Sequence, residues 1–358
     1  MTTIEPLSPT YAEARTAFLD AAASSDARVA THPHPHVGPD GGPLAVDVAE
    51  LGAADARRVV LVVSGTHGVE GYCGSALQRH WLAHHRADRP DDVAVVMIHA
   101  FNPVGFAWVR RVNEDNVDLN RNFIDWTAPV PDNADYDRIA RLLVPVEWSE
   151  ADQERTTAAL FELVGEVGLD RAQAIISGGQ YRDPTGVFYG GQGPVWSNRW
   201  IGDWAGTRLA GLERLAVIDL HTGLGPWGHG ELIGHEPIGS DQHRRATEWW
   251  GEVIPMGDER SVSAALTGDW LGALHDLAPG AEITAAALEF GTVDPISVLQ
   301  ALRADAWLHA HGDPRAPAAA AVRAQVRAAF ADDDPAWIAM VWERFAQVMA
   351  DALRHIAA

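Results

Sequence analysis

The amino-acid sequence predicts a single α/β domain with a mixed, mostly parallel central sheet flanked by helices. Short runs of β-branched and aliphatic residues predict buried strands, and the longer stretches with helical periodicity between them predict covering helices. The 358 residues are 47% hydrophobic, which is enough apolar material for one large core. Because the chain has no low-complexity linker and no fixed-period repeat, we expect residues 1–358 to form one domain.

The predicted strands and helices alternate in the rhythm of β-α-β units. A first helix is predicted near 11–23, and the segment 32–43, dense in Pro, Gly and His, is predicted to be an exposed loop. Buried strands are predicted over 57–65, 92–100, 214–221 and 282–290. Helices are predicted between them over 74–86, 150–168 and 197–212. Sheet strands with helices on both faces are therefore expected.

The C-terminal part carries two clear signals for helix starts. Asp294 precedes Pro295, and Asp334 precedes Pro335, so each pair supplies an N-cap and a proline at the first helical position. These signals predict helices near 294–311 and 335–356. We therefore expect 296–358 to be helical cover for a sheet whose core motifs lie within 55–295.

Charge and cysteine content exclude several classes of function. The formal net charge is −22, and the sequence contains no lysine, which excludes Schiff-base chemistry and the lysine-dependent phosphate loop. An acidic chain also argues against nucleic acid or anionic membranes as partners. Cys73 is the only cysteine, so no intrachain disulfide can form. With no secretory signal and no apolar run long enough to span a membrane, we expect a cytoplasmic protein.

Residues suited to metal chemistry stand at the ends of the predicted strands. His67 and Glu70 follow the first buried strand on a glycine-rich turn, where both side chains can reach one cation. His221 ends the strand 214–221. Two histidines and a glutamate are the protein ligands of an open catalytic zinc site, so the sequence predicts one Zn²⁺. Glu289 lies in an apolar run and is the candidate general base.

Four segments occur in a family-specific order: THGVEG, VDLNRNF, DLHTG and LEFGT. In this order they resemble the zinc carboxypeptidase superfamily, including its succinylglutamate desuccinylase and aspartoacylase branch. Within it, the chain is most similar to a bacterial branch known mainly as a domain of unknown function. The resemblance covers roughly 55–295. It implies a carboxypeptidase-like fold and hydrolysis of an amide bond next to a free carboxylate, in a small peptide or an N-acyl amino acid.

The resemblance also implies roles for residues between the first and last motifs. Asn120 and Arg121 match the pair that binds the free carboxylate of the substrate, and Asp118 matches the residue that orients the first ligand histidine. An upstream arginine polarises the scissile carbonyl in relatives. Here Arg110 or Arg111 matches it, and we favour Arg111. The three ligands and the water-activating glutamate match the residues already predicted from spacing.

The sequence departs from the family pattern in one respect. The usual carboxypeptidases place a substrate-capping tyrosine between the third ligand and the catalytic glutamate, but 222–288 contain no tyrosine. Either Tyr189, in the insert 180–198, replaces this tyrosine, or the capping role is absent. We expect this insert to line the pocket, so the substrate preference is left open.

Three alternatives accompany these predictions. Cys73 follows a strand and precedes a helix in the manner of a nucleophile elbow, which would suit a thiol hydrolase. A noncatalytic zinc or peptide-binding module would keep the pocket and lack turnover. Arg121 would have a structural role if it paired with Asp118 or Asp125. The oligomeric state is not indicated by the sequence.

Overall fold

The computed structural model describes residues 4–358, apart from the side chain of residue 170. Within this described part of the chain, eight strands form one sheet: β1 Arg28–Val37, β2 Pro43–Leu51, β3 Arg58–Ser64, β4 Val93–His99, β5 Arg214–Trp227, β6 Gly230–Gly234, β7 Ile254–Pro255 and β8 Glu282–Gly291. Their order across the sheet is β1-β2-β4-β3-β5-β8-β6-β7. The four buried strands predicted from the sequence are β3, β4, β5 and β8, which form the middle of the sheet.

The central strands run parallel and the flanking strands do not. β4, β3, β5 and β8 pair in parallel, whereas β1 and β2 are antiparallel at one side and β6 is antiparallel to β8 at the other. The sheet is therefore mixed and mostly parallel at its centre, as predicted. Because the carboxyl ends of these four parallel strands meet at one edge, side chains placed there lie close together.

Helices cover both faces of this sheet. Residues 4–358 contain α1 Tyr11–Ser24, α2 Gly71–His84, α3 Pro103–Trp108, α4 Ala140–Leu143, α5 Glu150–Val167, α6 Leu169–Ser177, α7 Trp196–Arg208, α8 Asp241–Trp250, α9 Leu274–Leu277, α10 Pro295–His311, α11 Ala319–Phe330 and α12 Pro335–Ala357. The predicted proline-led helix starts are confirmed, since Asp294 and Asp334 cap α10 and α12. No helix in 4–358 is both long and apolar enough to cross a membrane.

Strand β3 shows how the two faces build two cores. Val60 and Val62 belong to the core formed with α1, α2 and α12, whereas Val59, Leu61 and Val63 belong to the core formed with α7. Each of these side chains is fully buried. Burial on both faces explains why the strand is an unbroken apolar run rather than an alternating one.

The prediction of a loop over 32–43 is wrong for its first half. Strand β1 covers residues 32–37 of that stretch, with Pro33 opposite Ala45 and a register shift before Val37. A proline has no N–H to donate, but β1 lies at the edge of the sheet, where such a residue is tolerated. The turn itself is confined to 38–42. Strand β5 also differs from prediction, because it continues past His221 to Trp227.

Candidate metal centre

A tight turn after β3 carries two of the predicted metal ligands. The chain leaves β3, forms a 3-10 turn over Gly68–Glu70 and enters α2 directly. The N–H of Gly68 donates to the carbonyl of Arg111 at 3.1 Å, which ties the turn to the neighbouring segment. A Cβ atom at Gly68 would lie 2.1 Å from the carbonyl carbon of Gly105, so only glycine fits this close approach. The glycine-rich pattern therefore sets where the ligands of the turn point.

Three side chains converge at the carboxyl edge of the parallel strands. Nδ1 of His67 lies 2.8 Å from Oε1 of Glu70, and Nδ1 of His221 lies 2.8 Å from Oε2 of the same carboxylate. The two Nδ1 atoms are 3.2 Å apart. All three residues are buried. His221 follows His67 by 154 residues and reaches it because β5 pairs with β3.

The outer nitrogen of each imidazole contacts a buried carboxylate. Nε2 of His67 lies 3.2 Å from Oδ1 of Asp118, and Nε2 of His221 lies 2.6 Å from Oδ2 of Asp219. An N–H at Nε2 donates to the carboxylate and leaves the lone pair of Nδ1 facing inward. Carboxylate–histidine pairs of this kind orient and strengthen metal ligands.

This donor set fits zinc. Two imidazole nitrogens and one carboxylate, with a further position open, are the ligand composition of catalytic zinc sites. The ligand atoms of His67, Glu70 and His221 lie within 4.8 Å of one another, close enough to share one ion. Zinc bonds of about 2.1 Å would place tetrahedral ligand atoms roughly 3.4 Å apart, near the separations present here.

Asp219 belongs to the site and was missed by sequence reasoning. Besides His221, its carboxylate accepts hydrogen bonds from Nε1 of Trp270 at 2.7 Å and from Oγ1 of Thr66 at 2.7 Å. Every one of these contacts is buried. A signal existed, because Asp219 is an acidic residue inside an apolar strand and stands two positions before His221, which puts both side chains on the same face.

Charges around Glu70 favour its ionised form. Burial alone raises the pKa of Glu70, but the neighbouring His67 and His221 outweigh it and lower the pKa to about 2. The pKa of Asp118 is held well below its usual range, against the effect of burial, by Arg111 and Arg121. Both carboxylates are therefore anionic at neutral pH, which is the state that attracts a cation.

Glu289 stands beside the cluster on the adjoining strand. It is the register partner of His221 in the parallel pair of β5 and β8, and its Oε1 accepts the N–H of Leu224 at 3.0 Å. Burial, followed by the negative charge of Glu70, raises the pKa of Glu289 to about 8. A carboxyl group with a pKa in this range can take up and return a proton near neutral pH.

Of the two arginines left open by the sequence, Arg111 adjoins the cluster. Its Nε donates to Oδ2 of Asp118 at 3.0 Å, and its Nη1 lies 3.4 Å from Oε1 of Glu70. The guanidinium of Arg110 is bound instead by Asp305, with Nε 2.9 Å from Oδ2. The structure therefore brings Arg111, and not Arg110, into contact with a predicted ligand.

Asn120 and Arg121 lie next to the cluster with most of their polar atoms engaged. Nη1 of Arg121 donates to the carbonyl of Asn120 at 2.9 Å, and its Nη2 donates to the carbonyl of Ser177. Nη1 is 3.9 Å from Asp118, so the ion pair weighed as a structural role is present at long range. Oδ1 of Asn120 accepts the N–H of Trp270 at 3.3 Å.

The insert 180–198 reaches the site through Phe188 and through Tyr181, whose hydroxyl donates to the carbonyl of Arg121 at 2.6 Å. The Phe188 ring centroid lies 5.4 Å from the guanidinium carbon of Arg111 and 5.6 Å from that of Arg121, within cation–π range of both. The ring of Tyr189 is buried in the core on the α7 face, and its carbonyl accepts the N–H of Asp118 at 2.8 Å. No sequence signal separated Phe188 from other aromatic residues.

Comparisons with solved structures identify the fold. Bovine thrombin-activatable fibrinolysis inhibitor, solved with tick carboxypeptidase inhibitor, superposes with a TM-score of 0.51 at 12% identity, over 97% of each chain. Carboxypeptidase A from Helicoverpa armigera gives a TM-score of 0.48 at 14% identity, over 92% of this chain and 76% of that one. A succinylglutamate desuccinylase from Silicibacter sp. TM1040 gives 0.40 at 10% identity, over 79% and 66%.

The superposition on the bovine protein, with a TM-score of 0.51, confirms the fold that the sequence motifs implied. No curated protein matches the chain by sequence. A sequence profile described as "Protein of unknown function (DUF2817)" matches residues 7–344, which is nearly the whole chain. The chain therefore belongs to the DUF2817 family.

Proposed function

We propose that this protein is a zinc-dependent hydrolase that cleaves an amide bond adjacent to a free carboxylate. Its substrate would be a small peptide, as for a carboxypeptidase, or an N-acyl amino acid, as for a deacylase. One observation carries the proposal: His67, Glu70 and His221 converge in a buried cluster, with Glu289 beside them on the adjoining strand. Three ligands and a separate base are the parts that metal-assisted hydrolysis requires.

His67, Glu70 and His221 would hold the zinc ion, and their outer contacts keep the two imidazole rings in place. When bound, zinc supplies Lewis acidity toward a carbonyl and lowers the pKa of a water molecule. Glu289 accepts the proton of the attacking water at a carboxylate oxygen and later donates it to the leaving amine. Burial raises the pKa of Glu289 above its ordinary value, which favours uptake of the proton of the attacking water.

The cationic side chains would position the substrate. Arg111 already contacts Glu70 and Asp118, so its guanidinium is fixed beside the cluster, where it stabilises negative charge on the reacting carbonyl oxygen. Arg121 and Asn120 would hold the free carboxylate, a role that suits the planar donors of arginine. Phe188 packs against both guanidinium groups and gives this part of the pocket an apolar wall.

The buried position of Cys73 argues against a thiol hydrolase. Its side chain is 2% exposed, and burial raises the pKa of the thiol far above its ordinary value. The thiolate is the nucleophilic form, so a thiol held protonated in the core is inert. Alkylating reagents are therefore expected to leave both Cys73 and the activity intact, whereas a chelator is expected to abolish the activity.

The test is Glu289→Gln in the zinc-loaded protein. The amide cannot carry the proton, so turnover is expected to fall by roughly 10²- to 10⁴-fold while zinc content stays at the wild-type value. Activity is measured on a panel of N-acyl amino acids and short peptides, with and without chelator. Glu282→Gln is the matched control, because Glu282 begins the same strand and its side chain is largely exposed.

Each outcome of this test distinguishes the candidate functions. Wild-type turnover on at least one substrate, lost with chelator and lost in Glu289→Gln but not in Glu282→Gln, supports the hydrolase. Full activity of Glu289→Gln contradicts the assignment of the base. Stoichiometric zinc with no turnover on any member of the panel would favour the noncatalytic binding module instead.

A further inference from the structure

A second cluster of metal-ligating side chains lies on helix α2, away from the centre just described. His80 and His84 are four residues apart, so they project from the same face of α2. Glu5, from the segment before α1, faces both of them. One ligand atom of each of the three residues lies within 4.8 Å of the others. A pair of histidines at this helical spacing is a recurrent way to bind zinc.

The distances leave room for one ion between the three groups. Oε2 of Glu5 is 3.6 Å from Nδ1 of His80, and Oε1 of the same carboxylate is 3.8 Å from Nε2 of His84. These separations exceed a hydrogen bond, which needs about 3.2 Å or less. They are close to the roughly 3.4 Å between ligand atoms of a tetrahedral zinc ion with bonds of about 2.1 Å.

His80 gives the clearest indication that this cluster binds a ligand. Its side chain is fully buried, yet neither of its ring nitrogens has a hydrogen-bond partner among the described residues. A buried polar group without a partner destabilises the fold unless something satisfies it. Trp342 packs edge-on against the imidazole at 4.4 Å between ring centroids, so the ring is held in one orientation.

The segment that carries Glu5 is already fixed to α2. Arg79, next to His80, donates to the carbonyl of Pro6 and lies 3.3 Å from the hydroxyl of Ser8. Glu5 is therefore held within reach of the helix rather than being a carboxylate on a free end. Burial lowers the pKa of His80, which keeps its imidazole neutral near pH 7, the state that binds metals.

We propose that Glu5, His80 and His84 form a second divalent-metal site, selective for zinc and similar borderline ions. Glu5 and His84 are partly exposed, so the remaining coordination positions face solvent. Ten residues of helix separate Glu70 from His80, which places the second ion about 15 Å from the first centre and outside its chemistry. Its role is structural: it joins the segment before α1 to helix α2, which begins directly after Glu70.

The experiment counts zinc ions in the full-length chain. Protein freed of metal by chelation is titrated with Zn²⁺, and bound ions are counted by calorimetry and by elemental analysis after dialysis. Two equivalents are expected for wild type, and one each for Glu5→Gln and His84→Ala. Both substitutions are at partly exposed positions, so the fold is expected to survive, which circular dichroism checks. His85→Ala, at the next residue, is the matched control and should keep both equivalents.

A further variant separates this site from the proposed catalytic centre. His67→Ala with His221→Ala removes the first centre, and the variant is expected to retain one equivalent that disappears when His84→Ala is added. If the catalytic centre binds no zinc, wild type takes up one equivalent and His84→Ala none, so the second site still stands. An unchanged zinc count in both Glu5→Gln and His84→Ala would overturn the proposal.

Discussion

Asp219 controls which nitrogen of His221 faces the candidate metal centre. As a carboxylate it can only accept, so it requires the proton on Nε2 and frees Nδ1. In Asp219→Asn the amide can donate to Nε2, which would move the proton to Nδ1 and block the ligand position. We expect zinc affinity to fall by about 10- to 100-fold, measured by competition with a chelating dye. Asp203→Asn, an exposed position on α7, should leave the affinity unchanged.

His99 makes the stability of the fold sensitive to acid. Its ring is fully buried against Phe18, at 4.5 Å between ring centroids, and burial lowers its pKa from 6.5 to about 4. Between those values the unfolded chain binds the proton and the folded chain does not, so stability is lost as pH falls from about 6.5 to 4. A shift of this size corresponds to roughly 3 kcal/mol.

The pH dependence is checked with urea unfolding at several pH values. His99→Gln keeps a polar side chain near Ser75 but cannot take up the proton, so its free energy of unfolding should decline less steeply over that pH range. Carboxylates with lowered pKa values also contribute stability that the protein loses in acid, but this loss is the same for wild type and for the variant. Parallel pH profiles for wild type and the variant would contradict the role given to His99.

At the level of single residues, the sequence identifies the side chains whose type and spacing are unusual. His67, Glu70 and His221 stand at strand ends, and Glu289 interrupts an apolar run, so each is visible without coordinates. Phe188 is not, because an aromatic residue in a glycine-rich segment looks like ordinary packing. Its position over two arginines depends on where the insert 180–198 folds back, which is a long-range property that no local pattern encodes.

Among the local elements, the 3-10 turn at Gly68–Glu70 depends most on close backbone packing. Gly68→Ala would force a Cβ into the backbone of Gly105 and Phe106, so the turn has to move. We expect a loss of roughly 1–3 kcal/mol in the free energy of unfolding, together with loss of zinc binding at His67. Thermal and urea unfolding measure the first effect, and metal titration measures the second.

The matched control is Gly165→Ala in helix α5. Gly165 is exposed, and an added Cβ would meet nothing within 4 Å. Alanine restricts the unfolded chain and favours the helix, so this substitution should stabilise the protein by about 0.5–1 kcal/mol. The same chemical change therefore has opposite signs at the two glycines, and equal effects at both positions would refute the packing argument.

Elements with strong periodicity or capping signals were predictable, and elements shaped by their neighbours were not. Strands β3, β4, β5 and β8 are continuous apolar runs, and two helices begin at Asp-Pro pairs, so local chemistry suffices. Strand β1 carries Pro33 and Pro35, which normally exclude strand structure. It forms because β2 offers a pairing partner on one side, while its other side is the edge of the sheet, where no backbone N–H is required. Both facts concern the sheet rather than the segment itself.

For the whole molecule, the shared sheet predicts one cooperative unfolding transition. Ile356 on α12 and Ile201 on α7 are buried in the cores on opposite faces, and both cores include side chains of β3. Ile→Ala at either position should lower the free energy of unfolding by about 2–5 kcal/mol. In each variant, the unfolding curves followed by tryptophan fluorescence and by far-ultraviolet circular dichroism are expected to shift to the same new midpoint.

This test is done in urea without metal, so that ligand binding does not alter the transition. If one isoleucine variant split the curve into two steps, or moved only one of the two signals, the faces would be independent units. A single transition in both variants is the expected result, because β3, β4 and β5 cannot lose one covering layer and remain ordered.

The far end of α12 has a practical consequence. Arg58 and Arg214, the first residues of β3 and β5, donate to the carbonyls of Ala357 and Ile356 at 2.7 and 3.3 Å. These arginines mark the edge of the sheet opposite His67, and a seven-residue strand such as β3 spans about 23 Å. Attachment of the chain to a bead or sensor chip through Ala357 would therefore leave the edge of the sheet that carries His67 facing the bulk liquid.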